Sequence, residues 1–141
     1  MTAASAIAQI LDARVSAIRR GDLDALLADV ADDVVVFDVV EPLRRIGSDA
    51  VRARTAEWLA SYEPGIVWED RDRVITADGA VAFCSMLSHV SGTLKTGTRV
   101  DMWFRKTLGF QRRGDRWRIT HDHGSVPFAP ETGKASLSLE P

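Results

Sequence analysis

The chain has 141 residues and a formal net charge of −2, from 18 Lys and Arg against 20 Asp and Glu. This length corresponds to one domain, and the slightly acidic balance excludes a strongly basic nucleic-acid binder. The single cysteine excludes an internal disulfide and a multi-cysteine zinc site. No segment contains the about 20 apolar residues of a membrane span. We therefore expect a cytoplasmic protein that does not bind nucleic acid or a membrane and needs no cofactor.

The first 30 residues have helical periodicity. Apolar residues recur at steps of three and four from Ile7 to Ile18, which predicts an amphipathic helix. Gly21 is placed as the C-cap of this helix. Asp22 is placed as the N-cap of a short second helix that extends to Val30.

The rest of the chain is predicted to form one strand, one helix and then strands only. A β-branched run predicts a strand at residues 34–40, and Ser48 is placed to cap a third helix that ends at Pro64-Gly65. Four long strands are predicted at residues 66–76, 80–91, 98–112 and 116–123. This order predicts an α+β fold in which three N-terminal helices pack in a curved, mixed and mostly antiparallel sheet. We expect a single domain over residues 1–128, a tail over residues 129–141, and a ligand cavity at the open end of the cone-shaped sheet.

Three stretches carry a resemblance to a known family. They are Gly-Asp-Leu-Asp-Ala-Leu at 21–26, Ala-Asp-Asp-Val-Val-Val-Phe-Asp at 31–38 and Trp-Arg-Ile-Thr-His-Asp-His-Gly-Ser-Val-Pro-Phe at 117–128. Together they resemble the nuclear transport factor 2-like (NTF2-like) superfamily, in its SnoaL-like, ketosteroid isomerase-homologue branch. The resemblance implies the cone-shaped fold, a homodimer and a cavity for a small hydrophobic molecule. It does not imply one function, because this superfamily contains both enzymes and association domains.

The resemblance also implies residue roles. Asp38 matches the aspartate that acts as general base in the ketosteroid isomerases. Those enzymes have a tyrosine where this chain has Arg14, and an acidic oxyanion donor where it has Leu108. Isomerisation of a steroid needs neutral donors aimed at the developing enolate. We therefore expect that the chain is not a true steroid isomerase.

The last predicted strand carries a second cluster of titratable residues. Strand alternation places His121 and His123 on one face and Asp122 on the other. Asp122 and His121 are candidates for proton transfer, and His123 is a candidate ligand contact. Two histidines at this spacing can bind a metal when a carboxylate joins them, but the spacing alone is weak and we expect no metal site.

Four further residues are candidate ligand contacts on neighbouring elements. Trp58 lies on the apolar face of the third helix, where packing in the core is its alternative role. The other three, on the predicted strands, are His89, Asp101 and Trp103.

Arg105 is also a candidate ligand contact. A two-residue turn at Arg113-Gly114 would pair Arg105 with Asp122 across the hairpin, whereas a three-residue turn would not.

Two functions are compatible with these residues. The first is a cofactor-free isomerase, cyclase or lyase that acts on a small polyketide- or steroid-like carbonyl compound. In it Asp38, or Asp122 with His121, would transfer a proton. The second is a non-catalytic module that binds a small ligand or associates through its sheet.

Overall fold

The computed structural model describes all 141 residues, with three helices in the first half of the chain. They are α1 (Ala3–Arg20), α2 (Leu23–Leu27) and α3 (Ser48–Ala60). Gly21 ends α1 in the left-handed conformation, with φ 67°, and Asp22 caps α2 by accepting the N–H of Ala25 at 3.0 Å. Both predicted caps are confirmed. None of the three helices combines the length and the apolar character needed to cross a membrane.

Two predicted boundaries near the helices are wrong. The second helix stops at Leu27 instead of Val30, because Val30 begins β1 and pairs with Ile119 of a distant strand. Ser48 does not cap α3. Gly47 occupies that position at φ 94°, which favours glycine, and its N–H donates to the carbonyl of Val34 at 2.8 Å.

A mixed sheet of six strands forms the second half of the fold. The eight strands of the chain are β1 (Val30–Phe37), β2 (Arg45–Ile46), β3 (Val67–Asp78), β4 (Val81–Thr93), β5 (Arg99–Arg113), β6 (Arg116–Ser125), β7 (Phe128–Ala129) and β8 (Lys134–Ala135). The order in the main sheet is β2-β1-β6-β5-β4-β3, and only β1 and β6 run parallel. The predicted α+β class with a mostly antiparallel mixed sheet is confirmed. Within the predicted tail, β7 and β8 form a small separate hairpin.

The helices pack on one face of the curved sheet. Ile7 and Leu11 of α1 lie in one buried cluster with Leu108 and Phe110 of β5. Phe104, further along β5, lies in a second buried cluster with Ala17 and Ile18 of α1. The apolar side of β5 therefore faces the helices.

The β5–β6 hairpin has a register that the sequence analysis did not predict. Arg113 pairs with Arg116 around a Gly114-Asp115 turn, and a bulge between Gly109 and Phe110 shifts the remaining pairs by one residue. Arg105 consequently pairs with Ser125, and its Nε donates to the Ser125 hydroxyl at 3.1 Å. Of the two registers considered, the one that pairs Arg105 with Asp122 is therefore wrong.

Candidate functional site

A cavity of about 410 Å³ lies between the helices and the sheet. Its volume falls within the about 300–1,000 Å³ that small-molecule sites occupy. Of the 33 residues that line it, 22 are hydrophobic. The cavity is therefore suited to a small and mainly apolar ligand that makes a few polar contacts.

Aromatic side chains form one continuous wall of this cavity. Tyr62 contacts Trp58 edge-to-face with ring centroids 5.6 Å apart, and Trp58 contacts Trp68 in the same way at 5.7 Å. Trp68 in turn meets Phe104 at 5.4 Å. Trp58 thus has both roles considered for it, because it packs against buried aromatic residues and also lines the cavity.

A buried carboxylate holds this wall in place. Asp70, with 6% of its side chain exposed, accepts from Trp68 Nε1 and from the Ser88 hydroxyl, both at 3.0 Å. Arg73 neutralises it with an Nη2–Oδ2 contact of 2.8 Å. Both carboxylate oxygens of Asp70 therefore accept hydrogen bonds. Asp70 positions the wall and is not free for proton transfer.

Asp122 points into the cavity from β6. Its neighbours across the sheet are Val36 of β1 and Leu108 of β5, which also line the cavity. Lys106 Nζ lies 2.8 Å from Asp122 Oδ1, and Arg14 Nη2 lies 3.8 Å from Oδ2.

Only cations contact this carboxylate. The Lys106 ammonium lies at ion-pair distance from the buried Oδ1, and no backbone N–H or neutral side chain donates to either oxygen. Oδ2, whose nearest cation is Arg14 at 3.8 Å, is therefore open to a ligand.

Asp38 follows β1 directly and also lines the cavity. Its Oδ1 accepts the N–H of Val39 at 2.7 Å, and its Oδ2 accepts from Arg45 Nη1 at 3.2 Å. Arg54 Nε lies 3.7 Å from the same Oδ2. In contrast to Asp122, both oxygens of Asp38 already accept hydrogen bonds.

Tyr62 adds a neutral hydrogen-bond donor to the cavity. The side chain is largely buried, and burial raises the pKa of its hydroxyl above 10.0, while a hydrogen bond with Trp58 and the positive charge of Arg54 oppose the shift. The phenol therefore stays protonated near neutral pH. The hydroxyl donates its own proton to no acceptor of the chain, so this proton is available to a ligand.

The histidines of β6 lie on the opposite, outer face of the sheet. His121 Nδ1 donates to the carbonyl of Val35 at 2.8 Å, and both His121 and His123 contact Phe37 edge-to-face. The structure confirms that Asp122 lies on the other face, so His121 is not placed to share a proton with it. Neither histidine belongs to a group of three or more potential metal-ligating side chains.

The remaining predicted contacts also lie on the outer face. His89 Nε2 is 2.6 Å from Asp101 Oδ1, its Nδ1 is 3.3 Å from Glu69 Oε1, and its ring stacks on Trp103 with centroids 4.6 Å apart. Arg71 lies over the Trp103 ring at 4.6 Å. These residues form a polar and aromatic cluster that, like Arg105, does not line the cavity.

The four cations of the site were not among the predicted site residues, and Arg14 was noted only because it stands where the resemblance implies a tyrosine. Lys106 interrupts the apolar face of β5 between Phe104 and Leu108. This break in the apolar alternation is the sequence feature that could have identified it as a cavity residue. Arg54 precedes Trp58 by one helical turn, which places both on one face of α3. No local sequence feature identifies Arg45 as a cavity residue, because its position depends on the pairing of β2 with Val36 of β1.

Comparison with known proteins agrees with this architecture. A family model for the SnoaL-like domain matches residues 7–129. An NTF2-like protein of unknown function from Pseudomonas putida KT2440 is 28% identical, with a TM-score of 0.89 over 100% of this chain and 99% of that chain. No curated protein matches the chain significantly.

Two more distant structures share the fold alone. A proposed dehydratase of the NTF2-like family from Streptomyces avermitilis is 20% identical, with a TM-score of 0.78 over 89% of this chain and 97% of that chain. A ketosteroid isomerase-like protein from Erwinia carotovora atroseptica SCRI1043 is 19% identical, with a TM-score of 0.72 over 86% of this chain and 93% of that chain.

Proposed function

Because the chain belongs to the SnoaL-like family of the NTF2-like superfamily, we propose that it is a cofactor-free isomerase, cyclase or lyase. Its substrate would be a small hydrophobic carbonyl compound, and the reaction would proceed by acid–base proton transfer. The observation that carries this proposal is Asp122, a carboxylate that lines a mostly apolar cavity and is contacted only by the cations Lys106 and Arg14. The fold is related to ketosteroid isomerases and dehydratases, which agrees with the reaction class.

Asp122 is the general base in this proposal. It removes a proton from the carbon next to the ligand carbonyl, and the C–H bonding pair forms the double bond of an enolate. The carbonyl oxygen takes up the negative charge that Asp122 loses. Lys106 and Arg14 stay beside that charge throughout, so the step leaves no uncompensated charge in the cavity. If the enolate is conjugated with a second double bond, return of the proton to the far carbon of that system gives an isomerisation. If the next carbon carries a leaving group, the enolate electron pair forms a carbon–carbon double bond as the bond to that group breaks, and the departing group takes the proton, which gives an elimination.

The cations take the place of the neutral oxyanion donors of the ketosteroid isomerases. Arg14 lines the cavity where the resemblance implies a tyrosine, and Leu108, at the position of the second donor, contributes only apolar surface. A charged donor stabilises an oxyanion more strongly than a neutral one. Tyr62 offers a separate neutral donor further along the aromatic wall.

The test measures binding before turnover. Bicyclic ketones such as 2-tetralone are first titrated against the protein by quenching of tryptophan fluorescence. Bound ketones are then incubated in D₂O, and loss of the protons next to the carbonyl is followed by NMR. We expect exchange above the buffer rate, and we expect Asp122→Asn to lower it by about 10²–10⁴-fold, the usual contribution of a general base.

Asp115→Asn is the matched control, because Asp115 is an exposed carboxylate in the β5–β6 turn. It should exchange protons like the wild type. If ketones bind but exchange no faster than in the Asp122→Asn variant, the acid–base function is wrong. That outcome would favour the non-catalytic binding module, which the pairing of all three cavity carboxylates with cations also supports.

We also propose that the protein is a homodimer that associates through the outer face of the sheet. Val74, Val81 and Phe83 are each about half exposed there. Val81 and Phe83 are neighbours on one face of β4, and Val74 of β3 pairs with Ser85 and so lies diagonally from Phe83. An exposed apolar patch of this kind is typical of a protein–protein contact.

A further inference from the structure

The cavity carries more positive than negative charge, although the chain as a whole has a net charge of −2. Three carboxylates line it: Asp38, Asp70 and Asp122. Four cations line it: Arg14, Arg45, Arg54 and Lys106. Asp70 is already neutralised by Arg73, which does not line the cavity.

Each of the two remaining carboxylates is shared by two cations. Arg45 and Arg54 both approach Oδ2 of Asp38, at 3.2 and 3.7 Å. Lys106 and Arg14 bracket Asp122 at the distances given above. One carboxylate balances only one of its two cations, so one positive charge remains at each cluster. Positive charge in a partly closed apolar cavity is stabilised by a bound anion.

Arg54 is the cavity arginine with the fewest partners. Arg14 donates to the carbonyl of Leu26 at 3.0 Å, and Arg45 donates to the carbonyl of Glu41 at 2.8 Å as well as to Asp38. Arg54 makes no hydrogen bond in the structure, and 31% of its side chain is exposed. Its guanidinium therefore keeps a pair of donors in the geometry that binds a carboxylate.

An apolar surface begins directly beside this guanidinium. Trp58 lies one helical turn after Arg54 on α3, and the aromatic wall continues from it to Trp68 and Phe104. A molecule whose acidic group meets Arg54 can therefore lay an apolar body along the wall.

From this arrangement we propose that the ligand of the cavity is an amphipathic carboxylate, with its carboxylate bound by Arg54 and its apolar body packed against Trp58. The inference rests on the proposed function, since it concerns the same cavity, and it specifies the class of substrate: a carbonyl compound that also carries a carboxylate. Asp38 is then a positioning residue, which holds Arg45 and Arg54 at the bound acid.

Calorimetric titration with 2-naphthoate and 2-naphthamide tests the proposal, because the two molecules share one ring system and differ in charge. We expect the wild type to bind the carboxylate about tenfold more tightly than the amide, as one charge-assisted contact predicts. In Arg54→Gln this preference should disappear while the affinity for the amide is kept, which shows that the variant is folded.

Arg44→Gln is the control, because it removes the same charge from an exposed residue that does not line the cavity. It should keep the full preference for the carboxylate. Equal affinities in the wild type, no binding of either compound, or a preference that survives Arg54→Gln would each overturn the proposal.

These results are independent of turnover. Arg54-dependent binding of the carboxylate without proton exchange in any bound ketone would uphold the anion site and refute the acid–base function. Exchange that depends on Asp122, with no advantage for the carboxylate, would do the reverse.

Discussion

Asp38 and Asp122 are carboxylates of one cavity, yet their surroundings give them different chemistry. Asp38 accepts a backbone N–H and an arginine N–H, which occupy both of its oxygens. Asp122 is contacted only by two cations, and 16% of its side chain is exposed. The resemblance implied that Asp38 was the base, whereas the open Oδ2 of Asp122 supports our proposal that Asp122 is the base. Which of two acids is available depends on the donors around each one.

The exposed ion pair between Asp33 of β1 and Arg113 of β5 makes the free energy of unfolding depend on pH. Arg113 donates to both oxygens of Asp33, at 2.8 and 3.0 Å, and this hydrogen bonding lowers the pKa of Asp33 below 3.8. A lowered pKa means that the unfolded chain binds the proton more readily. The stabilisation is therefore present above the unfolded pKa and is lost as the pH falls through the folded one.

We expect urea midpoints of the wild type and of Asp33→Asn to differ at about pH 6 and to converge as the pH falls through the lowered pKa of Asp33. Because the pair is exposed, the difference should also shrink in high salt. A difference that grows on acidification would contradict this assignment. Asp115 has no such partner, so the urea midpoint of Asp115→Asn should equal that of the wild type at every pH.

At the scale of elements, the β5–β6 hairpin determines which residues reach the cavity. The bulge between Gly109 and Phe110 places His121 opposite Gly109 and Asp122 opposite Leu108. A β-carbon on Gly109 would lie 3.3 Å from that of His121, so the glycine also provides the space for this pairing. A shift of one residue would exchange Asp122 for a histidine on the cavity face.

Gly92 of β4 leaves room for the Tyr62 ring of the aromatic wall. A β-carbon at Gly92 would lie 2.9 Å from Cδ1 of Tyr62, a ring that is only 8% exposed. Gly92→Ala must therefore push Tyr62 away from the sheet, and we expect it to lower the free energy of unfolding by about 1–3 kcal/mol. Urea denaturation measures this cost, with Thr93→Ala as the neighbouring control. An unchanged midpoint would show that the ring moves without strain.

At the scale of the whole molecule, the two faces of the sheet have separate roles. The concave face lines the cavity, and the outer face presents the apolar patch of Val74, Val81 and Phe83. We expect light scattering at micromolar concentration to give twice the mass of one chain. Phe83→Glu should give a folded monomer because it places a charge within the apolar contact.

Leu43→Glu is the control for this experiment. Leu43 is 96% exposed on the β1–β2 loop and is remote from the patch along the chain, so the variant should remain a dimer. A monomeric wild type would refute the homodimer, and a dimeric Phe83→Glu would place the contact elsewhere.

The amino-acid sequence alone determined the elements and the fold class. Helical periodicity, the caps at Gly21 and Asp22, and the long alternating strands are local properties, because each depends on neighbours within a few residues. The same alternation correctly separated His121 and His123 from Asp122. Boundaries failed where distant partners decided them, as at Val30, which is drawn into β1 by its pairing with Ile119.

Only the tertiary structure decided which side chains meet. Arg14, Arg54, Lys106 and Asp122 come from α1, α3, β5 and β6, and no local pattern relates them. Strand alternation defines two faces but not which one is concave, so the histidines and Trp103 remained candidates until the helices were placed. The side of the sheet that is covered depends on the summed burial of many residues and on the register of the bulged hairpin, and both are properties of the assembled chain.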